Sequence, residues 1–486
     1  MLLLRPTWLL DLGLDDFKMN DFWILNGLIV TQDSHRRALQ AHLHIIDGRI
    51  AEITKTPPKR LAKNSSNKID ARGLTILPGF VQAHVHLCQT LFRNQADDLE
   101  LMDWLSQKIW KMEAAHTHES LYVSALLGVH ELLSSGTTCI LDMGTVRHTE
   151  AILEAVRETG IRASVGKCLM DHPKTTPPAL LERRQDALAE SLALYKRWNG
   201  KEGDRIRISY APRFVISCTE QLLSDVKLLA KEQKALIHTH ASENLKEIQL
   251  IKRRVHCENV EYLNQLGLTS PRLVLAHCIW LKPNEKEILK ATGTHVVHCP
   301  SSNLKLASGI AHIPDLRKRG INVALGADGA PCNNNLNMFT EMRLAALIHK
   351  PGAGPKAMRA QEVLDMATRG GAKALGWWKD IGSIEVGKKA DLIALDLLGP
   401  ENTLPSSSRR SPPSPSTLAS SIVYSTQASH VVWTMVDGKQ IYRRGNFLGT
   451  RRTRLMEQVR KAQKQIHQRM ETAKGFALLT PLAKPD

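Results

Sequence analysis

Apolar residues gather along this chain in short runs, and several of those runs stop at a residue able to bind a metal or move a proton. Leu77 to His86 reads as a strand that ends in two imidazoles, His84 and His86. The same grammar returns at 237–243, where the run delivers His240 and then Glu243. It returns again at 273–278 with His277 and at 321–329 with Asp328. Between the runs lie helical patterns, for example 120–134 and 149–159. Strand-like runs that alternate with helices predict parallel βα units.

The two ends of the chain read differently. Residues 21–53 predict short strands with a turn at Asp47-Gly48, and 388–396 with 431–442 predict more, with a turn at Asp437-Gly438. Segments from both ends therefore build one small, discontinuous β-sandwich. The fold class is α/β, with that sandwich at 19–75 and 380–445 and a barrel at 76–379. Ser and Pro crowd 401–421, which predicts a mobile surface loop. The last part, 446–486, predicts an amphipathic helix and tail, from Leu455, Val459, Ile466 and Met470 among many charges.

In a strand, residues i and i+2 share a face, so His84 and His86 can hold one ion together. Adding His240 and Asp328 gives three imidazoles and a carboxylate without a thiolate, a set that suits Zn²⁺ first and Fe²⁺ second. Four such ligands leave a coordination position for water, which marks a catalytic site. Ligands at the ends of successive strands predict a (β/α)₈ TIM-like barrel with its site on the C-terminal face.

The segments PGFVQAHVH, HASE, AHC and GADGAPCNN together resemble the amidohydrolase superfamily. Within it they resemble the group that deaminates S-adenosylhomocysteine, methylthioadenosine and 5'-deoxyadenosine. The likeness runs from about Asn26 to Gly438. It implies hydrolytic removal of ammonia from a purine nucleoside, a small-molecule substrate, and a homo-oligomer. Binuclear members carry a bridging modified lysine on the fourth strand. The corresponding segment here, 206–212, has none, which implies a single divalent ion. By the same likeness Glu243 would shuttle a proton to the ring, while His277 and Asp328 would orient and deprotonate water.

Substrate contacts are expected from Gln89, Trp110, Glu113, Arg213, Glu243 and His298, with Glu113 in the place of the acid that binds ribose hydroxyls. Typical homocysteine-nucleoside binders carry His where Arg213 stands, and the run Pro212-Arg213-Phe214 resembles guanine deaminases instead. Guanine or a triazine-type ring is thus an alternative substrate, and a non-catalytic amidohydrolase-like scaffold an alternative of another class. Retention of all the ligands together with Glu243 and His277 argues against the scaffold.

Composition narrows the remaining classes. With 486 residues, 43% hydrophobic and 23% charged, the chain has the balance of an ordinary globular protein. The formal charge of +17 is concentrated in surface runs such as Arg451-Arg452-Thr453-Arg454, and no nucleic-acid module accompanies it, so neither nucleic acid nor membrane is an expected partner. Eight scattered cysteines without a C-x-x-C pair fit a reducing cytoplasm. The first eighteen residues lack a signal-peptide pattern, and the strand pattern begins just after Met19, which reads as an alternative start. Gly382 to Lys389 nearly spells a P-loop, but Lys389 stands where Ser or Thr would bind Mg²⁺.

Overall fold

The computed structural model describes residues 20–57, 67–403, 412–447 and 452–472. Its central sheet is all parallel. Seven strands follow one another in chain order: Phe80–His86, Thr137–Met143, Arg162–Leu169, Ile206–Pro212, Ile237–Ala241, Leu273–His277 and His295–His298. The eighth is split. Its first half, Val323–Leu325, pairs with the seventh strand, whereas its second half, Asp328–Gly329, pairs with Val85 and His86 of the first. The chain changes neighbours across Gly326 and Ala327, and that change closes the sheet into a barrel. A Cβ at Gly326 would lie 2.6 Å from the carbonyl oxygen of His84, so only glycine admits the approach. The Ala327 N–H, left without a ladder partner at the break, donates to Oε1 of buried Gln82 at 3.0 Å.

Strands such as Thr137–Met143 and Arg162–Leu169 are buried along their whole length because the barrel interior covers one face and helices the other. The helix His118–Ser134 starts where Thr117 and Ser120 satisfy each other's backbone N–H groups in a capping box. The helix Thr149–Thr159 stops at Gly160, which takes the left-handed conformation. Both lie within two residues of the helical patterns in the sequence.

The second sheet joins the chain ends. Asp21–Val30, Ala38–Ile46 and Arg49–Thr54 come from the start, and Leu392–Asp396, Val431–Val436, Lys439–Arg443 and Asn446–Phe447 from the far end. The antiparallel pairing of Leu74–Pro78 with Leu392–Asp396 links them. This sheet encloses its own apolar core, including Phe22, Ile24, Leu43, Trp433 and Met435. The turns Asp47-Gly48 and Asp437-Gly438 both have positive φ at each residue, the geometry of a type I′ hairpin. Their tips pack backbone against backbone: a Cβ on Gly48 would sit 2.5 Å from the carbonyl oxygen of Asp437.

A buried cation fastens the two sheets. Arg162, at the start of the third barrel strand, donates to both carboxylate oxygens of Asp391 at 2.8 and 2.9 Å and to Asp437 at 2.6 Å.

Three details differ from the sequence reading. The strand Leu74–Pro78 belongs to the small sheet, so the chain crosses into the barrel at Gly79. Part of the Ser/Pro segment is a helix, Pro415–Tyr424, with Leu418, Ala419, Ile422 and Val423 buried. Ser414 caps it and Pro415 opens it, so residues that count as loop formers by composition act here as a helix start. The rest of that segment, 404–411, lies outside the described residues. The C-terminal helix Arg452–Thr472 packs Leu455, Val459, Ala462 and Ile466 into the main core, and Asn446–Phe447 before it is a strand. The alternative start at Met19 and the tail 473–486 also fall outside the described residues. Among the described residues no helix is long and apolar enough to cross a membrane.

Candidate active site

The C-terminal ends of the barrel strands bring the expected groups together. His84 and His86 project from one face of the first strand and are buried. His86 uses Nδ1 to donate to the carbonyl oxygen of Met143 at 2.8 Å, and His240 uses Nδ1 to donate to that of Arg213 at 2.7 Å. With both ring protons committed to carbonyls, each Nε2 carries a lone pair. Those two lone pairs face each other at 3.3 Å, a distance at which they repel unless a cation lies between them. Oδ1 of Asp328 lies 3.3 Å from Nε2 of His84 and 3.4 Å from Nε2 of His86.

Such spacings fit a metal. Ligands about 2.1 Å from a tetrahedral ion are about 3.4 Å from one another. His84 Nε2 is buried and has no hydrogen-bond partner, as expected of an atom reserved for an ion. His84, His240, His277 and Asp328 offer donor atoms within 4.8 Å of one another, and His86 adds a fifth beside two of them. The residues present therefore fit one divalent cation. The fourth strand holds no lysine, and Lys167, one strand earlier, is bound to Glu182 and Glu190.

Neighbouring groups fix these side chains. Nδ1 of His84 meets Nε2 of His238 at 2.9 Å. Asp328 accepts from the Ser302 hydroxyl at 2.6 Å on one oxygen and from the Gly329 N–H at 2.8 Å on the other. His277 donates from Nδ1 to Oδ1 of Asn303 at 2.8 Å. Its Nε2 is free of hydrogen bonds, 3.5 Å from Glu243 and 3.8 Å from Asp328. The backbone is strained where these side chains emerge: Ser242, His277, Cys278 and Asp328 all have positive φ although none is glycine.

Burial sets the protonation states. It holds His84, His86 and His240 below the usual imidazole range, His86 at about 4, so all three are neutral at pH 7 and able to ligate. Burial alone would raise Asp328, but the nearby imidazoles, His84 first, outweigh that and keep it ionised. Glu243 goes the other way. Burial first, then the negative charges of Asp328 and Glu247, push its carboxyl well above the usual range.

A cavity opens over this centre. Leu101, Trp104, Leu105, Phe214 and Leu306 form an apolar wall, and the polar floor includes Gln89, Arg213 and Glu243 beside the ligands.

Residues 75–441 match the family model described as the amidohydrolase family. The chain belongs to the amidohydrolase family. Among the relatives of this amidohydrolase is a 5'-deoxyadenosine deaminase of Methanobrevibacter smithii, 41% identical over 83% of this chain and 88% of that one. A 5-methylthioadenosine/S-adenosylhomocysteine deaminase of Syntrophobacter fumaroxidans is 38% identical over 90% of this chain and 97% of its own. A crystal structure of an adenosine deaminase from Xanthomonas campestris with bound zinc superimposes with a TM-score of 0.84 at 29% identity, covering 92% of this chain and 99% of that one.

Within this amidohydrolase three of the expected substrate contacts do not line the cavity. Trp110 is buried elsewhere, and Trp104 lines the cavity instead. Six residues on a helix rotate a side chain by about 240°, so the two indoles cannot share a face, and the π-helical turn Leu105–Ile109 between them shifts the register further. Glu113 is held off the cavity by Arg213, which binds it at 2.6 and 3.2 Å, and by the Gln89 amide at 2.9 Å. His298 is fully buried beside His349, their ring centroids 5.5 Å apart.

The sequence reading missed His238, Ser302, Asn303 and Trp104. His238 had a signal, since it stands two residues before His240 as His84 stands before His86. The other three had none.

Proposed function

We propose that this amidohydrolase hydrolyses the exocyclic C–N bond of an adenine-type, 5'-modified purine nucleoside, releasing ammonia. The observation that carries this reading is the pair of unprotonated imidazole nitrogens, His86 and His240, held 3.3 Å apart beside Asp328 at the floor of a cavity with one apolar wall. The relatives named for 5'-deoxyadenosine and 5-methylthioadenosine/S-adenosylhomocysteine support the substrate class.

His84, His86, His240 and Asp328 would hold the ion, and a donor set of three imidazoles and one carboxylate favours zinc. When bound, the ion supplies Lewis acidity, which makes water acidic enough to lose a proton near neutral pH. Everything else falls to the chain. The apolar wall, Trp104 and Phe214 included, stacks the purine and keeps bulk water away. Glu243, protonated in its buried setting, donates to the ring nitrogen next to the carbon under attack. His277, its Nδ1 proton committed to Asn303, presents the Nε2 lone pair to the attacking water and takes its proton. Asp328, 3.8 Å from His277 Nε2, relays that proton to the departing amine. The C–O bond forms as the ring C=N π bond gives its pair to the protonated nitrogen; the C–N bond to the amine then breaks, the new hydroxyl returns its proton to Glu243, and ammonia leaves. The cysteines, all free and most of them buried, fit the reducing cytoplasm.

Ammonia release tests the proposal directly. The zinc-loaded protein should deaminate 5'-deoxyadenosine, methylthioadenosine or S-adenosylhomocysteine faster than guanine. Turnover of guanine alone, or of none of them, would refute the assignment.

A further inference from the structure

A separate open cavity, about 650 Å³, lies at the other end of the barrel. It sits between Asn322 and Val323 at the start of the eighth strand, the turn Met366–Gly370 and the segment that leads into the small sheet. From Val323 to Asp328 a strand advances about 16 Å, so this cavity is separate from the catalytic one.

Its charge is out of balance. Arg317, Arg369, Lys373, Lys379 and Lys388 line it against two carboxylates, Asp365 and Glu385. Both carboxylates are already engaged. Asp365 pairs with Arg36 at 2.8 Å, and Glu385 accepts from the Ser383 hydroxyl at 2.5 Å with Lys388 at 3.5 Å. Among the described residues neither Lys373 nor Lys379 has an ion-pair partner. Arg317 reaches Glu362 only at 3.8 Å, and its Nε is buried without a hydrogen-bond partner. Arg369 donates to the Gln32 carbonyl oxygen at 2.9 Å and Lys388 to that of Trp378, so those two cations serve the fold. Lys373, Lys379 and Arg317 remain to attract an anion.

The cavity also exposes a flat aromatic ring. Trp377 is fully buried, but the next residue, Trp378, is 55% exposed. Its carbonyl oxygen accepts from Lys388 Nζ at 2.7 Å, which fixes the backbone that carries the indole. Nζ of Lys379 lies 5.9 Å from the centre of that ring. An open indole beside unpaired cations is suited to a ligand that is planar at one end and anionic at the other.

We propose that this cavity binds a nucleotide, with its base stacked on Trp378 and its phosphates among Lys373, Lys379 and Arg317. The indole recognises the ring and the cations the phosphates, so the two parts can be tested apart. Lys373, Trp378 and Lys379 are exposed and at the opposite end of the barrel from the catalytic groups, so their substitution should leave the fold and the deamination rate intact. Calorimetric titration of the zinc-loaded full chain with ADP and with inorganic pyrophosphate reads both parts. Lys373→Ala/Lys379→Ala should weaken both ligands at least about tenfold. Trp378→Ala should weaken ADP at least about fivefold and leave pyrophosphate within about twofold. Absence of ADP binding at about 1 mM would overturn the proposal. So would ADP affinity unchanged in both variants, which would put the nucleotide in the catalytic cavity. Loss with the lysine pair but none with Trp378→Ala would mean a phosphate site without base recognition and would overturn the nucleotide assignment.

Discussion

Replacing Glu243 by Gln removes the acidic proton and leaves the size of the side chain almost unchanged. The carboxyl group is buried, stays protonated because of that burial and the charges of Asp328 and Glu247, and lies 3.5 Å from His277 Nε2. Its loop does not depend on it, because the Glu243 N–H is held by Glu247 at 2.7 Å. A carboxamide can donate a hydrogen bond to the purine ring but cannot hand over a proton. Positioned proton transfers contribute about 10²- to 10⁴-fold, or about 3 to 5.5 kcal/mol of barrier. We therefore expect Glu243→Gln to lose at least a hundredfold in kcat while its zinc content stays at the wild-type ratio. Steady-state ammonia release and plasma emission on the same preparation measure the two quantities. A kcat within about threefold of wild type at full zinc occupancy would refute the proton-shuttle role. A parallel loss of zinc would instead make Glu243 a ligand, against the geometry described.

Further expectations concern groups outside the coordination sphere. His238→Ala removes the partner of His84 Nδ1 and should weaken zinc binding about 10- to 100-fold, measured by chelator competition; unchanged affinity would mean that His84 orients itself. Arg162→Met leaves buried Asp391 without its cation, while Asp437 keeps Lys389 at 3.0 Å, and should cost about 3 to 5 kcal/mol in urea denaturation, with part recovered when Asp391 is also changed to Asn. Asp142 is raised to about 7 by burial, with the Leu87 N–H opposing. A carboxyl raised in the folded state contributes stability that is full below its unfolded value of about 4 and is lost as pH rises toward its folded value. Wild type should thus lose on the order of 4 kcal/mol between about pH 4 and pH 7 through this group, a slope that Asp142→Asn removes; identical slopes would show that Asp142 ionises freely.

The clustering of these imidazoles and Asp328 was legible because strand geometry leaves little choice. His84 and His86 are two apart, and His240, His277 and Asp328 each close an apolar run, so a parallel barrel must gather them at one end. Barrel closure was less legible. It depends on the eighth strand changing partners across Gly326 and Ala327, which no local pattern announces. The cavity wall was the least legible part. Trp104 and Trp110 look alike in sequence, and only the π-helical turn and the packing of that segment decide which faces the cavity. Likewise the pairing of Glu113 with Arg213 spans a hundred residues, and neither residue's surroundings in the chain hint at the other. The helix at Pro415–Tyr424 shows composition misleading where capping chemistry was readable, since Ser414 and Pro415 are start signals as well as loop formers.

The most direct measurement is the anomalous diffraction of a zinc-loaded crystal at the zinc edge. A single strong peak about 2.0 to 2.2 Å from Nε2 of His84, His86 and His240 and from Asp328 is the predicted result. A peak elsewhere, two peaks in the barrel mouth, or none at full zinc saturation would contradict the account of this site.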